Sequence, residues 1–414
     1  MRIASLGRTP LVVGAIATAC FREPVDAAVS TSATAGEASG TTAGLTSSGS
    51  TSTSEGTGGP TSSGGATAGA TSTGSTGTTG DDPEATLTLL TLNLHCFKLD
   101  GTVYASNEGR FAAIAALAAT REVDVMTVQE ACSRPGESAI EALRAALEAA
   151  TGAKWSSGWS PAHVAWEGTP DEAEEGVGWL ARGEAGEWEA IDHAVQGSLR
   201  RVATVVTLPP ELGGVQVMSV HFEVFEPEAR AAQAREAATA SLVRADPGFG
   251  AIVAGDFNDV EGSAAHQAFV DMGFIAADAG VDPSGIDHVM VHRAASWRPV
   301  SVEEVFVGEE AVSDHPGVLA VLEAATGDAV ITTRVTALHD PGAGHFVALR
   351  GDLSPLTWTE GHPMWRRAVG EYGFVTTEIQ ASFEFKVLVD DVTWQTGENV
   401  AGMPGEDVMV VPVF

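Results

Sequence analysis

The sequence predicts an α/β domain followed by a smaller all-β module, with no folded core ahead of them. Three observations carry this. From Thr86 to about residue 325, β-branched apolar runs alternate with Ala- and Leu-rich stretches at helical spacing. After about Gly327 the helical spacing stops, and short strands with Gly, Pro and Asp turns run on to Phe414. Residues 27–83 are almost entirely Ser, Thr, Gly and Ala, a composition that cannot offset its ordering entropy by burial.

Element by element, residues 87–94 form a dense apolar and Thr run and read as a strand. Residues 107–120 carry Ala, Ile and Leu at helical spacing. A second strand is expected over 123–129 and an Ala-rich helix over 137–150. Residues 202–208 and 215–222 read as β-branched strands. A helix with Pro near its start covers 227–245, and 251–254 is a buried strand stopped by Gly255. The α/β domain therefore spans 85–325 and the β module 328–414.

Ahead of the domain, Arg2 and Arg8 precede an apolar run over 11–19 that ends at Cys20. A charged start, a short apolar core and small residues make an export segment over 1–20. The run is shorter than the about 20 residues a membrane-spanning helix needs. Ala17-Thr18-Ala19-Cys20 resembles a bacterial lipoprotein box, in which Cys20 becomes the lipidated first residue; the alternative is ordinary signal cleavage nearby. Residues 21–84 then form a flexible tether, and the expected location is extracellular or at the cell surface, with membrane contact only through that N-terminal lipid. Two further cysteines, Cys96 and Cys132, either pair as a disulfide in an oxidising compartment or stay as separate buried thiols.

The net charge of the 414 residues is −33. Only seven of the 55 acidic and three of the 22 basic residues lie in the first 84, so the acidity belongs to the folded part. Such a surface attracts divalent cations and repels polyanions. No stable nucleic-acid partner is expected, because that needs Lys and Arg to neutralise phosphates. A bound metal can still reverse the field locally.

Six short motifs occur in one order, each at or just after an apolar strand: Thr91-Leu92-Asn93-Leu94-His95, Val128-Gln129-Glu130, Ser219-Val220-His221-Phe222, Gly255-Asp256-Phe257-Asn258, Ile286-Asp287-His288-Val289 and Ser313-Asp314-His315-Pro316. Polar residues at strand ends converge on one rim of a sheet, where pockets form. Carboxylates and amides suit a hard cation such as Mg²⁺, and imidazoles stabilise charge developing on a phosphoryl group. Singly each motif is weak: Gln-Glu is commonly a solvated strand end and Gly-Asp-Phe-Asn an Asx-turn. Their joint occurrence in this order is the informative feature.

Over about residues 86–322 the set resembles the superfamily that includes DNase I, apurinic endonucleases, neutral sphingomyelinases and inositol-polyphosphate phosphatases. All six motif positions match; Val220 departs from the Thr that many members place before the His. The resemblance implies a four-layer α/β/β/α sandwich, with two packed sheets flanked by helices, and a metal-dependent hydrolase acting on phosphate esters. It implies Mg²⁺ (or Mn²⁺) on Glu130, with Asn93 and Asp314 nearby. It implies Asp256 as general base or orienter of the attacking water, Asn258 holding Asp256 and the phosphate, and His221 and His315 bracketing that phosphate. Asp287 then accepts a hydrogen bond from His315, fixing its tautomer and raising its pKa.

His95 is a rim candidate. His163, His193, His266 and His292 read as surface or core-edge residues, and His288 faces away from Asp287 in a regular strand. Arg182 ends an apolar run and either contacts phosphate or makes a surface salt bridge. The dense tryptophans Trp155, Trp159, Trp166, Trp179 and Trp188 read mostly as core, the other reading being a hydrophobic substrate lip.

In the β module, Trp358 and Trp365 precede Phe383-Glu384-Phe385-Lys386-Val387, and Val392-Thr393-Trp394-Gln395-Thr396-Gly397-Glu398-Asn399 follows. Flat aromatics with ammonium and amide donors suit a sugar face; equally, such tryptophans fill small sandwich cores. The segment resembles the family-20 starch-binding module, an antiparallel β-sandwich, with Gln395 in place of the usual Glu. The resemblance places Trp358, Lys386, Trp394 and Asn399 in a first sugar site and implies starch or a related α-glucan as partner. The whole reads as an exported phosphoesterase directed to a glucan; the alternative is a catalytically silent member acting as a polysaccharide-binding surface protein. The phosphate-ester substrate stays open among nucleic acid, sphingomyelin-like lipid and sugar phosphate.

Overall fold

The structure is a computed structural model that describes residues 85–245, 250–281, 285–325, 327 and 331–414. The export segment, Cys20 and the 21–84 tether lie outside the described residues.

The α/β domain contains, in chain order, β1 (Thr86–Asn93), α1 (Asn107–Thr120), β2 (Val125–Arg134), β3 (Glu137–Ser138), α2 (Ala139–Thr151), β4 (Trp155–Ala165), β5 (Ala173–Arg182), β6 (Trp188–Asp192), β7 (Val202–Thr207) and β8 (Gln216–His221). It continues with α3 (Pro227–Arg244), β9 (Ala251–Asp256), α4 (Ala264–Asp271), β10 (Phe274–Ala276), β11 (Asp287–His292), β12 (Trp297–Val305) and β13 (Gly317–Ala324). Local chemistry sets the helix starts. The Ser106, Ser138 and Ser263 hydroxyls accept the orphan amides of Gly109, Glu141 and His266. Pro227 opens α3, where its missing N–H costs nothing.

Two sheets result, one ordered β12-β13-β1-β2-β5-β4 with β3 beside β2, the other β10-β11-β9-β8-β7-β6. Leu87, Leu89, Val125, Val217, Val289 and Leu322, drawn from both sheets, share one buried cluster between them. A second cluster joins the first sheet to α1 and α2 through Leu92, Phe111, Ile114 and Leu143. A third joins the second sheet to α3 and α4 through Val253, Ala238, Phe269 and Phe274. Trp155 and Trp179 are core; Trp188 is half exposed and meets Trp179 edge-on.

The C-terminal module comprises β14 (Thr333–Leu338), β15 (Val347–Gly351), β16 (His362–Pro363), β17 (Trp365–Ala368), β18 (Glu371–Thr376), β19 (Phe383–Val389), β20 (Thr393–Trp394), β21 (Val400–Gly402) and β22 (Asp407–Val410). Its sheets, β17-β18-β14-β22 and β16-β15-β19-β20 with β21 beside β19, enclose Val335, Leu349, Phe374, Phe385 and Val387. The expected all-antiparallel pattern needs one correction: β22 runs parallel to β14. The chain reaches β22 by crossing from the second sheet to the edge of the first, so no hairpin fixes an antiparallel entry.

The module packs directly on α3. Val375 joins the α3/α4 cluster, and Trp365 packs against it. Arg334 Nη1 donates to the Leu242 carbonyl at 2.8 Å and Thr377 Oγ1 to that of Asp271 at 2.9 Å. Gly373 lets Val243 approach to where a Cβ would lie 2.5 Å from its methyl. The sheet containing β15, β19 and β20 is the one away from this contact.

Candidate active site

Strand register assembles the site. Across β11, β9 and β8, Asp287 stands opposite Asp256, which stands beside His221. In the other sheet Asn93 ends β1 beside Gln129 of β2. The pairing of β2 with β5 then slips between Val128 and Ala131, and Glu130 sits in that bulge at φ 46°. A bulge re-aims a side chain that regular alternation would point elsewhere. The two rims meet through Asn93, whose Nδ2 donates to Glu130 Oε1 and to Asp256 Oδ2, both at 3.1 Å.

Around Asp256, His315 Nδ1 meets Asp287 Oδ2 at 2.7 Å and Asp256 Oδ2 at 4.0 Å. Burial alone would lower His315, but Asp287 and then Asp256 outweigh it and push the imidazole up to about 11. Burial, reinforced by Asp287, raises the Asp256 carboxyl to about 7. Asn258, at φ 51°, donates its backbone N–H to Asp256 Oδ1 at 2.8 Å and its Nδ2 to the Phe222 carbonyl at 2.9 Å. The expected pairing of Asn258 with Asp256 is thus through the main chain.

His221 differs from His315. Arg201 Nη1 lies 3.0 Å from its Nδ1, while Glu175 stands off at 3.9 Å. A guanidinium only donates, so Nδ1 accepts and the ring proton sits on Nε2, which faces Asp256 Oδ2 at 3.5 Å. Burial, then Arg201, lowers this histidine. One imidazole is held as a cation and the other as a neutral donor.

Glu175 and Arg201, 7% and 3% exposed, belong to the site but carry no motif in the sequence. The available clues are a carboxylate leading an apolar strand and the Arg200-Arg201 pair entering one in a very acidic chain. His95 is likewise buried, with Nδ1 2.5 Å from Asp314 Oδ2. Asp314, expected beside the metal, is therefore bound to His95 and accepts from Ser313 Oγ at 3.1 Å. Arg182 lies away from the site: it donates to the Val123 carbonyl at 2.9 Å and pairs with Asp124 at 3.7 Å. His288 faces the other way, bonded to Asp278 at 2.7 Å. Cys96 and Cys132 form a disulfide that joins the exit of β1 to β2 just past Asn93 and Glu130.

Among the described residues, two groups besides the one that holds the disulfide cysteines offer ligand atoms within 4.8 Å of one another: Glu130, Glu175 and His221, and Asp256, Asp287 and His315. Asp287 Oδ1 is buried without a hydrogen-bond partner. Burial and then Glu175 push the Glu130 carboxyl up to about 7. Oxygen-rich donors crowded into mutual repulsion fit a divalent cation, which would relieve it.

Fold and site thus define an α/β protein with a carboxylate–imidazole centre where two sheet rims meet. The chain belongs to the endonuclease/exonuclease/phosphatase family, which matches residues 90–315. Among solved structures, a family protein from Leptotrichia buccalis is 18% identical, with 57% of this chain and 99% of that one covered at a TM-score of 0.47. An endonuclease/exonuclease/phosphatase from Beutenbergia cavernae is 18% identical over 77% of this chain and 100% of that one, also at 0.47. A mannosyl-6-phosphatase from Bacteroides thetaiotaomicron is 17% identical over 57% and 99%, at 0.43. No curated protein matches the sequence.

Proposed function

We propose that the α/β domain is a divalent-metal-dependent hydrolase of phosphate esters. The observation that carries this is the single meeting point of Asp256, His221, Asp287 and His315 with Asn93 and Glu130. Glu130, with Asn93 and Asp314 beside it, would hold Mg²⁺ or Mn²⁺, and Glu175 adds charge at the same place. When bound, the cation neutralises phosphate charge and makes water more acidic. Asp256 Oδ2 is placed to take the proton of an attacking water. His315, its Nδ1 on Asp287, presents Nε2–H to a phosphoryl oxygen, and neutral His221 presents Nε2–H from the β8 side. The test is turnover of a p-nitrophenyl phosphodiester by the full chain with EDTA, then with Mg²⁺. Turnover should require the metal and fall at least roughly 10²-fold in Asp256→Asn and in His315→Ala. Metal-independent turnover, or near-wild-type rates in both variants, would refute the reading.

The C-terminal module is read as a glucan-binding platform, and the whole chain as an exported enzyme directed by it. Trp358 and Trp394 stand with ring centres 6.4 Å apart and planes inclined by 28°. Arg350 lies 5.2 Å over the Trp394 ring and donates to the Trp358 backbone carbonyl at 3.2 Å, so one guanidinium links the two residues. Asp391 holds that guanidinium with two bonds of 2.7 and 2.8 Å. Opposite Arg350 across the ladder, Lys386 donates to the carbonyls of Gln395 and Gly397, and Asn399 donates to Glu384. Lys386 and Asn399 are thus engaged in bonds within the module beside the paired rings.

A further inference from the structure

Asn258 sits at φ 51°, in the left-handed region that few residues other than Gly enter without support, and its N–H points at Asp256 Oδ1, 2.8 Å away. The support comes from the opening of β11. Ahead of Asn258, the Phe257 N–H donates to the Ile286 carbonyl at 2.8 Å. Behind it, the Asp259 carbonyl lies 2.8 Å from His288 Nε2. Ile286 and His288 thus grip the main chain on both sides of Asn258, and between them stands Asp287, which orients His315. Arg230 of α3 reaches the same loop at 3.3 Å, but through the Asp259 carboxylate rather than the main chain.

His288 is 1% exposed and has no part in the chemistry proposed above. A buried histidine that only fills space would meet other rings, and His288 does meet Phe257 and His266 edge-on, at centroid distances of 5.1 and 5.4 Å. Packing does not explain its two polar contacts. Asp278 Oδ2 lies 2.7 Å from Nδ1, and Asp278 Oδ1 also accepts the Val289 N–H at 3.0 Å, so this carboxylate is tied to β11 itself. A carbonyl only accepts, so Nε2 carries a proton toward Asp259. Asp278, His288 and the Asp259 carbonyl therefore form a chain in which a carboxylate aims an imidazole at a main-chain oxygen. The residue that owns this oxygen follows Asn258 directly.

We propose that His288 is a positioning residue of the active site. Through the Asp259 carbonyl it holds the Asn258 N–H on Asp256 Oδ1, which leaves Asp256 Oδ2 turned toward Asn93, His221 and His315. One short segment then sets both halves of the site: Asp287 orients His315, and His288 orients Asp256. The inference rests on the phosphoesterase reading and adds to it a residue that acts only through another.

The test compares two replacements of the same ring in the full chain, with Mg²⁺ and p-nitrophenyl methyl phosphate as reporter. The side-chain amide of Gln reaches where Nε2 stands, and that of Asn where Nδ1 stands. His288→Asn therefore loses the bond to Asp259, whereas His288→Gln keeps a donor for it. In His288→Asn, kcat should fall at least about tenfold with KM little changed, within the about hundredfold that a misplacement of about 1 Å can cost. His288→Gln should recover most of that loss. Exchange of the Asn258 amide with deuterium, followed by NMR, should quicken in His288→Asn and much less in His288→Gln. Equal losses in the two variants would reduce His288 to core packing and overturn the inference, as would an unchanged kcat or an unchanged Asn258 exchange in His288→Asn. Should neither variant fold, Asp278→Asn decides: it withdraws the charge behind Nδ1 and should quicken Asn258 exchange, and unchanged exchange there overturns the inference. A wild type that does not turn over the reporter defeats the parent reading instead, and Asn258 exchange still decides whether His288 holds the loop.

Discussion

Asp287 and His315 lie 2.7 Å apart at the rim where β11 and β13 begin, and the pair decides which imidazole carries charge. His221 has Arg201 in the equivalent place at 3.0 Å, with the Glu175 carboxylate standing off at 3.9 Å. Replacing Asp287 by Asn keeps the shape and removes the charge that holds His315 protonated. We expect kcat in Asp287→Asn to fall about a hundredfold, the lower end of a general acid/base contribution. The same change should bring the ¹⁵N titration of His315 back toward an ordinary histidine. Unaltered kcat together with an unaltered titration would remove the pair from the chemistry.

The site also contributes to the pH dependence of stability in the metal-free protein. Glu130 and Asp256 are both pushed up to about 7, from ordinary values of 4.5 and 3.8. Between those limits the folded chain binds more protons than the unfolded one, so stability falls as pH rises. His315 acts in the same direction: its stabilisation is complete below 6.5 and is lost as pH rises through about 11. A cation needs the ionised carboxylates and restores what ionisation removed. Melting scans should therefore show a larger Mg²⁺-induced rise in Tm at pH 8 than at pH 5. An equal rise at both values would mean that the metal binds elsewhere.

These groups were legible in the sequence to different degrees, for physical reasons. Asn93, His221, Asp256, Asp287 and His315 stand at ends of apolar strands, where the pattern breaks visibly. Glu130 was found by its motif, but its orientation depends on a bulge that only the pairing with β5 reveals. Glu175 and Arg201 enter from strands whose partners lie far away in sequence, and no spacing rule brings them to His221. The α1 boundaries were readable because Ser106 caps the helix within a clear apolar period. The β4–β5 hairpin was not, because its Gly, Ser and Trp run has no period of two. The parallel β14–β22 pair was hidden for a similar reason: topology, not local pattern, decides its direction.

The Cys96–Cys132 disulfide ties together the two chain segments that present Asn93 and Glu130. It closes a loop with a sequence separation of 36, for which chain entropy gives a stabilisation of about 3–4 kcal/mol. The double variant Cys96→Ser/Cys132→Ser should melt lower by denaturant titration. It should also bind Mn²⁺ several times more weakly by calorimetry, because Glu130 loses its brace. Unchanged Mn²⁺ affinity alongside the lower stability would confine the disulfide to a structural role.

If the module binds a glucan as proposed, the two tryptophan rings would be the contact surface, with Arg350 beside them. The full chain should be retarded by amylose in affinity electrophoresis, and Trp394→Ala should abolish the retardation, since stacked aromatics carry most of the apolar contact with a sugar face. Arg350→Gln should weaken it by a smaller factor while altering the near-ultraviolet circular dichroism of the paired rings. Retardation unchanged by Trp394→Ala would place any glucan contact elsewhere.

The module's contact with α3 gives the last prediction. Gly373 lies where β18 crosses Val243, and an added Cβ would stand 2.5 Å from a methyl of that valine. Valine on a helix has little rotamer freedom to yield, so the strand or the helix must shift. Overpacking of this kind costs about 1–3 kcal/mol, and here the strain falls on the contact between the two parts rather than inside either core. Arg334 and Thr377, which bond to carbonyls of α3 and α4, would lose their geometry with it. Gly373→Val should therefore split a single melting transition into two, while the proposed amylose retardation persists because the tryptophan platform lies on the other sheet. A single transition at the wild-type temperature would show that the contact contributes little to holding the two parts together.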